Sequence, residues 1–411
     1  MDVELVSVGN ELLLGHTVNT NVAEIAQFLS EIGLAISRSV TVRDDHGAIR
    51  GAVRDALDRA EVIIITGGLG PTRDDITKVA VAEALDLPLI RDEQYVVELR
   101  ERFGKIRPGP MPASNLSQAD VPKGGERLLN PLGSAPGIWI QMLNAVLIML
   151  PGVPREMRGL MSNEVVPRLR NRADDSVILS RTLKTTGVAE SALADVLSGV
   201  EERLEPLSLA FLPSVEGVDL RITASHMTKD EAAAKLDEAT AILRPMLGSW
   251  YYGSEDLAEH LLNVLREKRL TLSCAESCTG GLIGQRLTSI PGSSDVFLGG
   301  VVAYSNEVKE RVLQVSRSMI EEHGAVSTPV AEAMARGAIT CFGTDAAVSV
   351  TGIAGPGGGT TEKPVGTVHM AAILRGKAAC ESRLFPGDRI DIRNRSAQAA
   401  LDLLRGLLLK D

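Results

Sequence analysis

Aromatic side chains are scarce in this chain: two Trp, four Tyr and six Phe make up 3% of its residues. Rings of this kind form the stacking platforms of single-strand nucleic-acid binders, so their scarcity weighs against that activity. Positive charge is also short, because 43 Lys and Arg stand against 53 Asp and Glu and leave a formal net charge of −10. A general phosphate-backbone binder needs the opposite excess, although a local pocket can still take a small anion. Cysteine occurs four times, at Cys274, Cys278, Cys341 and Cys380. None of the spacings is that of a zinc pair, so neither a disulfide framework nor a zinc site is expected. There is no HExxH motif and no apolar run of about 18 residues, and Met1-Asp2-Val3-Glu4 lacks the basic and apolar segments of a signal peptide. A cytoplasmic protein with no membrane partner is expected.

What is present is material for several cores, with 44% hydrophobic and 23% charged residues spread over 411 positions. At about 150 residues per domain the length predicts two to three domains. Val3–Val8, Val62-Ile63-Ile64-Ile65 and Ala145–Leu150 are short apolar runs ending in glycine or polar turns, with a helical pattern near 21–34. Continuous apolar strands punctuated by helices predict a largely parallel α/β sheet covered on both faces, a three-layer αβα domain over 1–170.

From 172 to 250 the pattern changes. Val218, Leu220, Ile222 and Ala224 alternate with Asp219, Arg221 and Thr223, as in a strand with one wet face, and Thr228 with Glu231 forms a capping box before a helix bearing Ala232, Leu236, Ala239 and Leu243. A small α+β module is expected there. From 255 to 411 strand and helix signals alternate again, giving a second α/β domain in which Thr328-Pro329 opens a helix.

In this last region Leu270–Cys274 reads as a strand running into Ala275-Glu276-Ser277-Cys278-Thr279-Gly280-Gly281. Such a turn gathers hydroxyls and backbone N–H groups at a helix start, which suits an anion or oxyanion. On the local sequence alone, Ser277 and Thr279 fit a helix cap as well as they fit a reactive site. A second polar cluster, Tyr304-Ser305-Asn306-Glu307-Val308-Lys309, follows the apolar run 300–303. If a helix begins here, Val308, Val312 and Val315 face the core and Lys309 reaches toward the strand ends. A desolvated lysine can lose its proton and serve as base to a serine, whereas an isolated lysine is more often a solvated surface group.

In the first region Gly9-Asn10-Glu11-Leu12-Leu13-Leu14-Gly15 follows one strand, and Thr66-Gly67-Gly68-Leu69-Gly70-Pro71-Thr72-Arg73-Asp74-Asp75 follows another. Loops at the carboxyl ends of parallel strands form the ligand crevice of open α/β sheets. Gly67, Gly68, Gly70 and Thr72 would approach phosphates, while Asp74 and Asp75, with Glu11 as a further oxygen donor, are the candidate metal ligands, although Asp74-Asp75 could instead simply cap a helix.

Taken together, these motifs resemble the competence/damage-inducible CinA family. The resemblance extends to Pro291-Gly292-Ser293-Ser294, Gly324-Ala325-Val326-Ser327, Thr351-Gly352-Ile353-Ala354-Gly355-Pro356, Glu362–Val368 and Phe385-Pro386-Gly387-Asp388-Arg389 followed by Arg393. In the amino-terminal region it includes Asn130–Gly137 and Leu150–Met157.

For 255–411 the resemblance implies a nicotinamide-nucleotide amidase that converts nicotinamide mononucleotide to nicotinic acid mononucleotide and ammonia without a cofactor. Ser277 would be nucleophile and Lys309 its proton acceptor. Tyr304, Thr279, Ser294 and Arg393 would line the site, with Arg393 suited to the phosphate. Glu276, Gly280, Gly281, Gly352 and Gly355 are counted with the substrate-binding residues. For 1–170 the resemblance implies a molybdopterin-binding-like domain with metal-dependent ADP-ribose pyrophosphatase activity, using a divalent ion such as Co²⁺ or Mg²⁺. For 172–250 it implies a KH-type module.

Residues 177–250 nevertheless contain no GxxG and hold 7 Lys and Arg against 11 Asp and Glu. A structural or dimerisation role is expected of that module rather than nucleic-acid binding, and a symmetric homodimer is the default assembly. The combined expectation is a bifunctional hydrolase of pyridine-nucleotide salvage. Two alternatives stand beside it: a competence- or damage-associated DNA-binding protein, and an amino-terminal domain that binds a pterin cofactor without hydrolysis.

Overall fold

The computed structural model describes residues 1–106, 109–172 and 175–411. The chain forms two compact units, Met1–Leu179 with Thr223–Lys235, and Ser180–Ile222 with Leu236–Asp411.

The first unit is built on six strands: β1 (Val3–Val8), β2 (Ile36–Val42), β3 (Val62–Thr66), β4 (Gly125–Leu128), β5 (Gly137–Gln141) and β6 (Val146–Leu150). Their order is β2-β1-β3-β6-β5-β4. The first four run parallel, and β5 and β4 are antiparallel additions at one edge. Every residue of β1, β3 and β6 is buried, including Glu4, which is paired with Arg59, and Ser7, as strands covered by helices on both faces should be.

Alternation sorts these side chains. Val3, Leu5, Ile64 and Ile148 face α1 (Thr20–Ser30), while Val6, Val8, Ile63 and Ile65 face α2 (His46–Leu57) and α3 (Thr77–Ala84). The first helix is shorter than the periodicity over 21–34 predicts. Gly33 adopts a left-handed φ of 73°, and a Cβ there would meet the carbonyl oxygen of Ser176 at 2.3 Å. The chain turns at this glycine, and Leu34 remains buried from outside the helix.

A second sheet has the order β8-β9-β7-β10, from β7 (Val177–Thr185), β8 (Ser208–Pro213), β9 (Val218–Met227) and β10 (Tyr251–Gly253). The expected one-sided strand is β9, where Val218, Leu220, Ile222 and Ala224 are buried. The capping box also forms: Glu231 accepts the backbone N–H of Thr228 at 3.0 Å, and the Thr228 hydroxyl accepts the N–H of Glu231 at 3.4 Å. The helix that follows, Lys229–Leu247, buries Ala232, Leu236, Ala239 and Leu243.

The carboxyl-terminal sheet comprises β11 (Leu272–Glu276), β12 (Phe297–Val302), β13 (Ala346–Gly352), β14 (Thr367–Leu374) and β15 (Lys377–Leu384), in the order β12-β11-β13-β14-β15. The first three are parallel and the last two antiparallel. One core joins strand residues Leu272, Val348 and Met370 to Leu261, Leu265, Leu401 and Leu404 of the helices Leu257–Glu267 and Arg389–Leu408. Another joins Ala275, Ala347 and Ala371 to Val330, Met334 and Ala338 of the helix Thr328–Phe342, which carries Pro329 in its first turn. The fold is therefore α/β at both ends with a small α+β module between. Among the described residues no helix is long and apolar enough to cross a membrane.

Candidate active sites

The parallel strands β12, β11 and β13 end side by side, and each delivers a loop to the same place: Ser277 after β11, Ala303-Tyr304 after β12, and Ile353–Gly355 after β13. A cavity of about 290 Å³ lies there, lined among others by Ser277, Cys278, Tyr304, Lys309, Gly352, Gly355 and Arg389.

Lys309 enters it from a short helix, Asn306–Arg311, whose start is fixed by the Ser305 hydroxyl accepting the N–H of Val308. That helix ends too soon to carry the predicted apolar stripe: Val315 is buried beyond its end, but Val312 is exposed. Lys309 itself is only 2% exposed. Its Nζ donates to Ser277 Oγ at 3.2 Å and to the carbonyl oxygen of Ala303 at 2.8 Å. Burial lowers its pKa from the ordinary lysine value, with the Cys278 sulfur pulling weakly the other way. An amine desolvated in this way holds its proton less tightly than a surface lysine does, and it lies beside a serine hydroxyl. Cys278 is also buried there, and burial pushes its thiol up to about 12, so it stays protonated and unreactive.

The glycine turn is arranged differently from the sequence expectation. Glu276 is 1% exposed, and its carboxylate accepts the N–H groups of Gly281 at 3.0 Å, Ile283 at 3.1 Å and Gly284 at 2.8 Å. The N–H of Gly280 is bonded to the carbonyl of Ser277. Donors assigned to an oxyanion or phosphate are thus already satisfied by the chain's own acceptors. Glu276, Gly280 and Gly281 shape the turn that presents Ser277 instead of lining the cavity.

Arg393 is likewise turned toward the main chain. Two of its nitrogens donate to the Thr279 carbonyl, at 3.1 and 2.7 Å, and it does not line the cavity. Thr279 is fully buried, with its hydroxyl unpartnered among the described residues, and Ser294 is exposed on a short turn outside the lining. The cavity's guanidinium belongs to Arg389, one helical turn before Arg393. It donates to the Tyr304 hydroxyl at 3.0 Å and to the carbonyl of Gly355. The signal for Arg389 was in the sequence, in the run Phe385–Arg389, but it does not by itself distinguish the two arginines.

The first unit repeats the logic. Loops after β1, β2, β3 and β6 border a cavity of about 500 Å³ that includes Glu11, Asn21, Asp44, Gly67, Gly68, Gly70, Asp74 and Asp75. Gly67 and Gly68 have φ of 101° and 65°, and a Cβ at either position would meet Val8 O or Thr77 Oγ1 at 2.2 Å. Only glycine fits this approach of backbone to backbone. Thr72 is not in the lining; its N–H and hydroxyl donate to one oxygen of Asp75 and close the turn. Asn21 gives its Nδ2 to the Gly152 carbonyl at 2.9 Å, which leaves its buried Oδ1 without a partner among the described residues. Asp44, which sequence reasoning passed over, accepts the N–H of Asn10 at 2.8 Å.

Among the described residues no group of three or more His, Cys, Asp or Glu is gathered to hold an ion, so the chain presents no closed metal cage. The donors that do line this cavity are oxygens: the carboxylates of Glu11, Asp74 and Asp75 and the free amide oxygen of Asn21. That chemistry fits a hard divalent ion taking its other ligands from substrate phosphates and water.

Comparison with known proteins matches each region in turn. Residues 4–171 match a family model described as probable molybdopterin binding domain, 180–253 one described as damage-inducible protein CinA KH domain, and 254–408 one described as CinA C-terminal domain. A CinA-like protein from Gemmatimonas aurantiaca is 48% identical, covering 98% of this chain and 96% of its own. A putative competence-damage inducible protein from Clostridium beijerinckii is 40% identical over the whole of both chains. A crystal structure of a competence/damage inducible protein from Agrobacterium tumefaciens is 43% identical and covers 37% of this chain and 93% of that one, with a TM-score of 0.36. With relatives this similar over its full length, the chain belongs to the CinA family and carries that family's molybdopterin-binding-like domain at its amino-terminal end.

Proposed function

We propose that the carboxyl-terminal site is a serine amidase acting on nicotinamide mononucleotide. The observation that carries this reading is the buried Lys309 amine, 3.2 Å from Ser277 Oγ, with its pKa lowered by burial. Ser277 Oγ attacks the carboxamide carbon while its proton passes to Lys309 Nζ. The carbon–nitrogen bond breaks, and Lys309 returns the proton to the departing nitrogen, which leaves as ammonia. Water then attacks the acyl-serine ester, giving a proton to Lys309, and the carbon–oxygen bond breaks as Lys309 returns that proton to Ser277 Oγ, releasing the acid, which ionises to the carboxylate. Arg389 and Tyr304 at the cavity edge supply donors for the substrate's anionic part. Ammonia release from the mononucleotide by the full chain, and its loss in Ser277→Ala, tests the reading.

For the amino-terminal cavity the same proposal extends to hydrolysis of ADP-ribose to AMP and ribose 5-phosphate. Carboxylates among Glu11, Asp74 and Asp75, which are not gathered into one three-ligand cluster, would hold a divalent ion such as Co²⁺ or Mg²⁺ jointly with the substrate phosphates, and the ion would neutralise the diphosphate and lower the pKa of a bound water. The glycine loop accepts the diphosphate against backbone, and Asn21 Oδ1 is free to accept a hydrogen bond from the ligand. The two activities would make the chain a cytoplasmic, homodimeric enzyme of pyridine-nucleotide salvage. AMP formation from ADP-ribose by the full chain, with and without divalent ion, tests this half.

A further inference from the structure

A third cavity, of about 420 Å³, lies within the second unit, away from the Ser277 site. Its floor is Gln398, which is 3% exposed. Gln398 Nε2 donates to the Thr186 hydroxyl at 3.3 Å, and its Oε1 has no partner among the described residues. One turn away on the same helix, Arg395 also lines the cavity, and its Nε is buried and equally unpartnered. Residues three apart on a helix share a face, so an unpartnered donor and an unpartnered acceptor belong to one side of this helix, and both residues line the cavity. The ring of Phe385 forms part of another wall.

A buried amide oxygen and a buried guanidinium N–H left without partners are each destabilising. Neither serves the catalytic geometry described above. Their complement is a ligand with an acceptor beside a donor on one edge, and glutamine reads an adenine edge in that manner in nucleic-acid complexes. The neighbouring ring offers such a flat ligand a surface to stack on.

We propose that this cavity binds a small planar heteroaromatic ligand through an acceptor–donor edge, the chemistry shared by an adenine amidine and an aromatic carboxamide. The two sources are separable. Calorimetric titration of the full chain with adenosine, and separately with nicotinamide, should reveal a binding event that Gln398→Met and Arg395→Met each weaken by about tenfold or more. Binding of adenosine alone assigns the amidine edge, and of nicotinamide alone the carboxamide. Gln398→Met keeps the side-chain volume and removes the unpaired oxygen together with the bond to Thr186, so its melting temperature is measured beside its binding. If that variant proves unstable, Arg395→Met carries the comparison. Failure of both probes to bind at millimolar concentration, or equal binding by the parent and the variants, overturns the proposal.

Discussion

Lys309 Nζ sits 3.2 Å from Ser277 Oγ, and its second acceptor is the carbonyl of Ala303. The amine is held by the end of β12 and the nucleophile by the end of β11, so two adjacent parallel strands set their separation. Ser277→Ala should abolish ammonia release, and Lys309→Met should reduce kcat by about 10²–10⁴-fold, the usual contribution of a positioned base. Neither should unfold the protein, since Lys309→Met removes a costly buried charge. Steady-state kinetics alongside thermal melts checks both parts, and wild-type turnover by Ser277→Ala would refute the nucleophile assignment.

The direction of the Lys309 shift fixes the sign of the pH response. Its folded pKa is below the ordinary 10.5, and the neutral amine is the base. The kcat/KM profile should therefore rise with pH, on a limb lying below 10.5. Stability should move in the same direction: between the folded and unfolded values the unfolded chain binds more protons, so unfolding free energy grows with pH. Replacing Lys309 by Met should flatten that stability slope, as urea titrations at several pH values would show.

Glu276 receives three backbone N–H groups of the turn that follows it. Glu276→Ala would leave those buried donors unpaired, at a cost of about 3 kcal/mol or more. We expect both lower stability and lower kcat, because the same turn presents Ser277. Glu276→Gln should fall between. A parent-like urea midpoint in Glu276→Ala would remove the clamp from the account.

Much of this was legible beforehand. Strands β3 and β6 are buried on both faces, and near-continuous apolar runs of that length fit a sheet covered by helices on both sides. The capping box at Thr228 is equally local, depending on residues three apart. The partners of Glu276 were not legible, because a carboxylate next to a serine looks the same in sequence whether it faces a ligand or curls back onto backbone five to eight residues ahead. Nor was the choice between Arg389 and Arg393. It depends on which side of the closing helix meets Tyr304, 85 residues away from Arg389.

That choice yields its own test. Arg389→Ala should raise KM for a phosphate-bearing substrate with a smaller effect on kcat, whereas Arg393→Ala should lower melting temperature by releasing the Thr279 carbonyl. A KM change confined to Arg393→Ala would reverse the assignment.

At the amino-terminal cavity, chelation should abolish AMP formation from ADP-ribose, and Asp74→Asn or Asp75→Asn should raise the divalent-ion concentration needed for half-maximal rate. Asp75→Asn should also loosen the turn closed by Thr72. Metal titrations of the ADP-ribose reaction, with ammonia release as an internal control for folding, separate the two effects.

The glycines at 67 and 68 limit how this cavity can change over time. Its wall there is main chain laid against main chain and the Thr77 hydroxyl, with no space for a Cβ. No exchange of side chain at those positions can adjust what the cavity accepts. Side chains elsewhere in the lining, such as Asp44 and Ser134, are where a substitution can change the ligand that the cavity accepts.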